Sequence, residues 1–200
     1  MTAASSDGCV VVDVRPAPDF VREHVVGAVF IDFDRRRFLP VLRLLVPASA
    51  PLTLVVPDGE VASAARALAE REGHRVTDVI VADVGLAAAG ARVERLPTVD
   101  VDALADRLAA APRNVRLVDV RQKFEWDLGH IEGAILVPLE SIEAASLRWQ
   151  PTDELCCVCE QGVRSATAAS FLLRRGFVNA RSVEGGVGAW VQSGRPLREE

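Results

Sequence analysis

The chain has 200 residues, which suits one large domain or two small ones, and half of its residues are hydrophobic, enough for two cores. Its 28 acidic and 23 basic residues leave a formal net charge of −5, which excludes a general electrostatic attraction to nucleic acid. The sequence has no apolar stretch long enough to cross a bilayer, so we expect neither a nucleic acid nor a membrane as a partner.

The N-terminal residues 1–7 carry neither the positive region nor the apolar core of a signal peptide. Three of the 4 cysteines crowd into residues 156–159, which is unlike the disulfide framework of a small secreted protein. We therefore expect a cytoplasmic protein with reduced thiols.

The first half of the chain alternates short apolar runs with a helical segment. Four runs rich in β-branched residues predict buried parallel strands, at 9–14, 28–31, 52–56 and 79–82. Residues 63–72 predict a helix, and Gly73 suits the left-handed position at its end. Three arginines at 35–37 are followed by Phe38, and we interpret them as a solvated face and not as a binding patch.

The second half shows the same order of elements. Pro97 marks a boundary within the segment 92–99, which we take as the linker, and Asp100 suits the cap of a helix over 101–110. A further helix is predicted over 166–175, and the predicted strands are 116–120, 134–137, 155–158 and 181–183. Strands alternating with helices predict an α/β fold in which a parallel sheet is covered by helices on both faces.

A sequence repeat relates the two halves. Val-Asp-Val-Arg at 12–15 recurs at 118–121, and the agreement continues without a gap at a constant offset of 106 residues. The further matched pairs are Phe20 and Trp126, His24 and His130, Gly27 and Gly133, and Ala28 and Ala134. A fixed offset across several residue types indicates two copies of one domain, which we place at residues 1–95 and 98–200.

The two copies differ at one loop. Further along the chain the offset becomes 103 residues. The pairs at this offset are Gly59 and Gly162, Gly73 and Gly176, Val56 and Cys159, and Val61 and Arg164. The first copy can keep the turn but lacks the thiol, so we expect it to be a degenerate domain without a nucleophile.

The loop of the second copy has the features of a nucleophile site. Residues 159–165 read Cys-Glu-Gln-Gly-Val-Arg-Ser and lie between an apolar strand and a helix, so that Cys159 faces the free N–H groups and positive dipole end of that helix. Such groups stabilise a thiolate, the form in which cysteine is a nucleophile. A buried cysteine at a strand end is otherwise a small hydrophobe, which is our interpretation of Cys156 and Cys157.

Several motifs of the second copy resemble the rhodanese (sulfurtransferase) family. They are Asp-Val-Arg at 119–121, the aromatic Trp126, Gly-His-Ile-Glu-Gly-Ala at 129–134, the Cys-x-x-Gly-x-Arg-Ser loop at 159–165, and Glu-Gly-Gly at 184–186 with Trp190. The resemblance covers residues 98–198 and, more weakly, residues 7–90. The whole chain resembles tandem rhodaneses, in which the N-terminal copy is typically inactive and the C-terminal copy carries the cysteine. It implies two tandem rhodanese-like domains, each a small parallel sheet flanked by helices on both faces.

The resemblance also implies a reaction. Cys159 attacks the outer sulfur of a sulfane donor and becomes a persulfide, and a thiol or cyanide then takes the sulfur. The partners are a small-molecule sulfur donor and a thiol acceptor, with a protein as a further candidate acceptor, and neither a metal nor an organic cofactor is needed. Backbone N–H groups of the loop cradle the donor, and Arg164 binds its oxygens or a carboxylate. The expected substrate-binding residues are Glu160, Gln161, Gly162, Val163, Arg164 and Ser165.

Three other residues are interpreted as structural support. Asp119, Arg121 and His130 all recur in the copy without a nucleophile, so a role in bracing the fold explains them better than catalysis does. The three cysteines of the second copy alternate sides of a strand and cannot all face one ion, so we expect no metal site. Trp126 and Trp190 either line the pocket or fill the core, and the sequence leaves both options open.

Two positions bear on the sulfur donor. In this family, basic residues directly after the cysteine favour thiosulfate, whereas Glu160 and Gln161 occupy those places here. Unless it points outward, Glu160 repels a dianion and disfavours the thiolate. We therefore expect weak activity with thiosulfate, and a low-molecular-weight or protein persulfide as the better donor.

Two other functions remain open. Some rhodanese-fold proteins are phosphatases with a Cys-x5-Arg loop, and the spacing from Cys159 to Arg164 is one residue shorter. The second alternative is a non-catalytic or redox-sensing module, in which Cys157 resolves an oxidised Cys159. A disulfide between cysteines that close on one strand would be strained.

Overall fold

Two units make up the chain, Met1–Arg95 and Leu96–Glu200. The computed structural model describes residues 8–82, 85–86, 90–110 and 115–199, and residues 1–7, which carry the expectation about a signal peptide, lie outside these ranges. None of the helices within the described ranges is both long enough and apolar enough to cross a membrane.

The first unit is built around a parallel sheet of four strands. In chain order the strands of this unit are β1 (Val10–Asp13), β2 (His24–Val25), β3 (Val29–Phe30), β4 (Leu52–Val56), β5 (Val76–Val81) and β6 (Val93–Glu94). The sheet has the order β3-β1-β4-β5 with all neighbours parallel, and β2 and β6 form a separate antiparallel pair. Val12 in β1 and Leu54 in β4 are fully buried, as continuous apolar runs in central strands should be.

Within the described part of this unit, three helices accompany the sheet, α1 (Ala17–Arg22), α2 (Phe38–Leu45) and α3 (Gly59–Arg71). Helix α3 begins before the predicted residue 63 because the Asp58 carboxylate accepts a hydrogen bond of 2.9 Å from the Val61 N–H and caps the helix. After α3 the chain turns at Gly73, whose φ of +87° is the left-handed conformation expected there.

The second unit has a parallel sheet of five strands. They are β7 (Thr98–Val99), β8 (Val115–Asp119), β9 (Ile135–Leu136), β10 (Glu154–Val158) and β11 (Ala180–Val183). Their order is β7-β11-β10-β8-β9, and all neighbouring pairs are parallel. Strand β10 therefore lies in the centre of the sheet, where its residues 155–158 are fully buried.

The α-helices that the structure describes in the second unit are α4 (Val101–Ala110), α5 (Lys123–Asp127), α6 (Ile142–Ser146), α7 (Val163–Arg174) and α8 (Gly186–Gln192), and a 3-10 turn at Leu139–Ser141 precedes α6. Helix α4 has the predicted bounds, and the Asp100 carboxylate caps it by accepting a bond of 2.7 Å from the Ala103 N–H. Helix α7 packs against β10 and β11, while residues of α4 and α8 join a hydrophobic cluster with β8 and β10 that contains Leu104, Leu117 and Trp190.

These parallel sheets flanked by helices confirm the α/β fold expected from the sequence. The segment 92–99, predicted as a linker, includes the boundary between the two units and contains two short strands. Strand β6 pairs with β2 in the first unit, and β7 pairs with β11 as an edge strand of the second. Strands of two residues carry no alternating pattern, so nothing in the sequence distinguished them from a linker.

Candidate active site

Cys159 is the first residue after β10, the central strand of the second sheet. It therefore lies at the carboxyl edge of a parallel sheet, where α/β proteins bind ligands. The residue is only 1% exposed.

Backbone and hydroxyl groups of the following turn surround the sulfur. The N–H groups of Gly162 and Ser165 donate to Cys159 Sγ over 3.2 and 3.4 Å, and the Ser165 hydroxyl lies 3.6 Å from it. Among the residues that the structure describes, these two are the loop members whose backbone N–H groups point at the sulfur. Ser182 on β11, which the sequence did not single out, holds the Ser165 hydroxyl at 2.8 Å.

The loop is compact because of two glycines. Gly162 has a φ of +97° and lets helix α7 begin at the next residue, three positions before the predicted start. Gly186 at the start of α8 approaches the loop backbone so closely that a Cβ there would lie 2.1 Å from the Cys159 carbonyl oxygen. The first N–H groups of α8 bind the same loop, since Val187 donates to the Cys159 carbonyl and Gly188 to the Glu160 carbonyl over 2.8 and 3.0 Å.

Arg164 binds a carboxylate that sequence reasoning missed. Its Nη1 and Nη2 atoms each donate to Glu125 of helix α5 over 2.6 Å. Hydrogen bonds from Arg164 lower the pKa of the Glu125 carboxyl to about 2, and the same pair raises the pKa of the Arg164 guanidinium. Arg164 and Glu125 are 39 residues apart, so their spacing in the sequence did not indicate that they pair. The one available signal was the repeat, in which Glu125 aligns with an acidic residue of the first copy, Asp19.

Asp119 and Arg121 form a buried brace next to the loop. The Arg121 Nε and Nη2 atoms bind the Asp119 carboxylate over 2.8–3.1 Å, and Nη2 also donates to the Gly129 carbonyl over 2.8 Å. The third nitrogen, Nη1, lies 3.4 Å from Glu160 Oε2. Glu160 thus turns toward a cation and is half exposed, whereas Asp119 is fully buried.

His130 packs within the fold. Its ring stacks on Trp126 with ring centres 3.6 Å apart, and its Nδ1 lies 3.4 Å from the Trp126 carbonyl oxygen. Trp126 and Trp190 are both buried, and the Trp190 indole donates to the Pro196 carbonyl over 3.0 Å. Both tryptophans therefore contribute to packing, which answers the question that the sequence left open.

The first unit repeats this brace without the thiol. Arg15 binds the Asp13 carboxylate and the Glu23 carbonyl, and Phe20 stacks on His24 with ring centres 4.0 Å apart. Val56 ends β4 where Cys159 would be, and the next residue, a proline, has no N–H to offer. A cavity of about 710 Å³ lies at this edge, and its lining includes Arg15, Arg22, Pro57, Glu94 and Arg95.

Two further cysteines, Cys156 and Cys157, lie within β10 and are buried in the sheet. Burial raises the pKa of the Cys156 thiol to about 11, with a smaller effect from Glu154, and burial likewise raises the pKa of the Cys157 thiol. Both side chains therefore remain neutral thiols at physiological pH and behave as apolar core residues.

The chain is similar in sequence to known proteins. The sequence model described as the Rhodanese-like domain matches residues 2–90 and 100–193. The chain is 38% identical over 86 residues to the probable adenylyltransferase/sulfurtransferase MoeZ of Mycobacterium tuberculosis, which covers 42% of this chain and 22% of that protein. It is 32% identical over 95 residues to thiosulfate sulfurtransferase 16, chloroplastic, of Arabidopsis thaliana, which covers 42% of this chain and 79% of that protein.

A third relative has a name from a different chemistry. The tRNA uridine(34) hydroxylase of Photorhabdus laumondii is 32% identical over 89 residues, which cover 42% of this chain and 24% of that protein. The matched part thus amounts to about a quarter or less of the mycobacterial and Photorhabdus proteins. The chain is thus similar to segments of proteins whose named reactions differ.

Proposed function

Because the chain belongs to the rhodanese-like domain family, whose model matches most of both halves, we propose that it is a sulfurtransferase that carries sulfane sulfur as a persulfide on Cys159. The observation that carries this proposal is the convergence of the Gly162 and Ser165 N–H groups on a thiol at the carboxyl edge of the sheet. Donors in this arrangement stabilise negative charge on sulfur, both as thiolate and as persulfide.

In the first half-reaction, the Cys159 thiolate attacks the outer sulfur of a donor R–S–S⁻. A sulfur–sulfur bond forms to Cys159 as the bond within the donor breaks, and the electron pair of that bond leaves with the thiolate R–S⁻. With thiosulfate the leaving group is sulfite. The negative charge thereby moves from Cys159 Sγ to the new terminal sulfur, one atom further out. The N–H groups of the loop stay in place and face that terminal sulfur.

In the second half-reaction, an acceptor thiolate or cyanide attacks the terminal sulfur of the persulfide. The bond to Cys159 breaks and the electron pair returns to it as a thiolate, so the cycle closes without net oxidation of the protein. The acceptor leaves as a persulfide or as thiocyanate. The Ser165 hydroxyl, held by Ser182, accepts from the Cys159 thiol over 3.6 Å and donates to the Gly162 carbonyl over 3.0 Å. The donors that face the regenerated thiolate are therefore the N–H groups of Gly162 and Ser165.

We propose different roles for the two domains, 1–95 and 98–200. Only the second has a cysteine at the loop position, and we assign the transfer reaction to it. In the first, Val56 replaces the thiol and Asp58 caps helix α3 with its own carboxylate, which fills the end of the helix that would otherwise face an anion. The first domain therefore has the brace of the second without its chemistry.

The redox-sensing alternative has less support. A resolving cysteine must itself be a nucleophile, and the raised pKa of the Cys157 thiol keeps it protonated and buried within the sheet. The phosphatase alternative would need the Arg164 fork free for a phosphate, whereas Glu125 occupies both of its terminal nitrogens.

Steady-state kinetics test the proposal. With glutathione persulfide varied at several fixed cyanide concentrations, we expect parallel double-reciprocal lines, the pattern of two-step covalent transfer. Cys159→Ser should abolish turnover, whereas Cys9→Ser, which removes the thiol of the first domain, should retain it. Intersecting lines, or transfer that survives in Cys159→Ser, would overturn the assignment.

A further inference from the structure

The charged groups around the Cys159 loop are paired among themselves. Two cations lie there, Arg121 and Arg164, and three carboxylates contact them, Asp119, Glu125 and Glu160. The cluster therefore has a net charge of −1 before the thiolate is counted. For an anionic donor, the charges of both arginines are already neutralised by carboxylates, and one carboxylate remains without a cation to balance it.

The pair between Arg164 and Glu125 is the part of this cluster that an incoming anion would compete with. Both terminal nitrogens of Arg164 bind the carboxylate over 2.6 Å, so the fork that would hold a sulfonate-like group is filled. The Arg164 and Glu125 side chains are 30% and 18% exposed, which limits screening by water. Arg164 is close enough to Cys159 for a negative sulfur there to favour its charged form.

We propose that Glu125 is the residue that sets donor selectivity, because it occupies Arg164 and so turns the site away from dianionic thiosulfate and toward the persulfides of small thiols. This inference rests on the proposed sulfurtransferase function. The Glu160 carboxylate, which the sequence suggested as the repelling charge, already faces Arg121 at 3.4 Å. The Glu125 carboxylate instead acts by removing the cation that a dianion requires.

Charge explains why the effect differs between donors. Thiosulfate has two negative charges. To bind the Arg164 guanidinium it has to displace the Glu125 carboxylate, which breaks a strong bidentate ion pair. A persulfide has one charge on its reacting sulfur. The N–H groups of Gly162 and Ser165 can stabilise that charge by hydrogen bonding, without a contribution from Arg164. Coulomb energies scale with the product of charges, so releasing one cation favours a dianion about twice as much, in free energy, as a monoanion.

The variant Glu125→Gln tests this proposal with little change of shape. A glutamine at 125 retains an oxygen that can accept the 3.0 Å bond from the Gln122 N–H, which Glu125 makes at the start of helix α5. It removes the charge and leaves Arg164 uncompensated. We expect kcat/KM to rise about tenfold for thiosulfate and about threefold for glutathione persulfide. The added effective cation acts on both charges of the small thiosulfate dianion, but on only the one charge at the reacting sulfur of the persulfide, because the carboxylates of glutathione lie several bonds away.

The measured quantity is the ratio of the two kcat/KM values, because a ratio of donors in one preparation does not depend on how much of the protein is folded. It should rise about threefold in Glu125→Gln, and return to the wild-type value or below in Glu125→Gln combined with Arg164→Gln. The matched control is Glu143→Gln, since Glu143 pairs with Arg175, which directly follows α7 and lies about 16 Å from Arg164 along the helix axis. That variant should leave the ratio unchanged.

An unchanged ratio in Glu125→Gln, or the same rise in Glu143→Gln, would overturn the proposal. A rise that persists without Arg164 would overturn it too, because the effect would not pass through the guanidinium. Intact-mass detection separates this from a failure of the proposed function. If neither donor adds a sulfur to wild-type Cys159, sulfur transfer itself is wrong; if persulfide adds sulfur and the ratio does not respond, only the role of Glu125 is wrong.

Discussion

The close approach of Gly186 to the cysteine loop gives a sharp prediction for Gly186→Ala. A Cβ at this position would lie 2.1 Å from the Cys159 carbonyl oxygen and 2.7 Å from that of Glu160. Carbon and oxygen atoms in favourable contact are about 3.3 Å apart or more. Because both obstructing atoms belong to the backbone, the loop itself has to retreat by about 1 Å.

The expected magnitudes follow from this displacement. An alanine with positive φ costs about 1–2 kcal/mol, and overpacking adds about 1–3 kcal/mol. A shift of 1 Å in a reacting group lowers the rate by about 100-fold. The matched control is Gly194→Ala, where φ is +80° and a Cβ would have nothing within 4 Å among the described atoms. It should pay only the conformational cost and retain its activity.

The assay combines urea unfolding with sulfur transfer from glutathione persulfide to cyanide. Rates are compared at temperatures where both variants are folded, so that the difference between them reports the loop and not the stability. Sulfur transfer by Gly186→Ala as fast as by Gly194→Ala would contradict this prediction, because the loop backbone would then not determine the position of Cys159.

Three further predictions concern buried and paired groups. Arg121→Lys and Arg15→Lys keep the charge but lose the bidentate fork, so each should lower the free energy of unfolding in urea by about 2–4 kcal/mol. Only Arg121→Lys should slow sulfur transfer, and equal losses of activity in both variants would contradict this. Because burial raises the pKa of Cys156 to about 11 and also that of Cys157, iodoacetamide at pH 8 should leave both unlabelled until the protein is unfolded, as peptide mass spectrometry can determine. The Glu125 carboxyl has a folded-state pKa of about 2, below its ordinary 4.5, so the stability that its charged form contributes is present above about pH 4.5 and is lost as the pH falls toward 2. In urea unfolding, Glu125→Gln should therefore be about 1–2 kcal/mol less stable than wild type at pH 7 and nearly equal to it at pH 2. A stability difference independent of pH would contradict this.

The sequence predicted best those elements that local signals define. Strand β4 and helix α4 have their predicted bounds, because an uninterrupted apolar run marks the strand and Asp100 caps the helix. Helix α7 begins earlier than predicted, since the left-handed turn at Gly162 allows helical geometry at once. The short strands β2, β6 and β7 have too few residues for a pattern, and pairing alone defines them.

For the candidate site, the repeat was more informative than the local motif. It aligned Cys159 with Val56 and so separated the loop from the brace that both copies share. It could not reveal Glu125 or Ser182, because their contacts with residues 164 and 165 depend on how α5 and β11 meet helix α7 in space. Residues that act through distant partners need the fold before their role can be inferred.

The central claim is that Cys159 carries sulfur, and intact-mass spectrometry after incubation with a donor tests it most directly. Wild-type protein and Cys159→Ser would be treated with thiosulfate, mercaptopyruvate or glutathione persulfide, freed of the donor and then exposed to cyanide. We expect the mass of one sulfur atom to be gained by the wild type only, and cyanide to remove it. A protein that gains no sulfur from any donor, or a Cys159→Ser variant that gains it equally well, would contradict the claim.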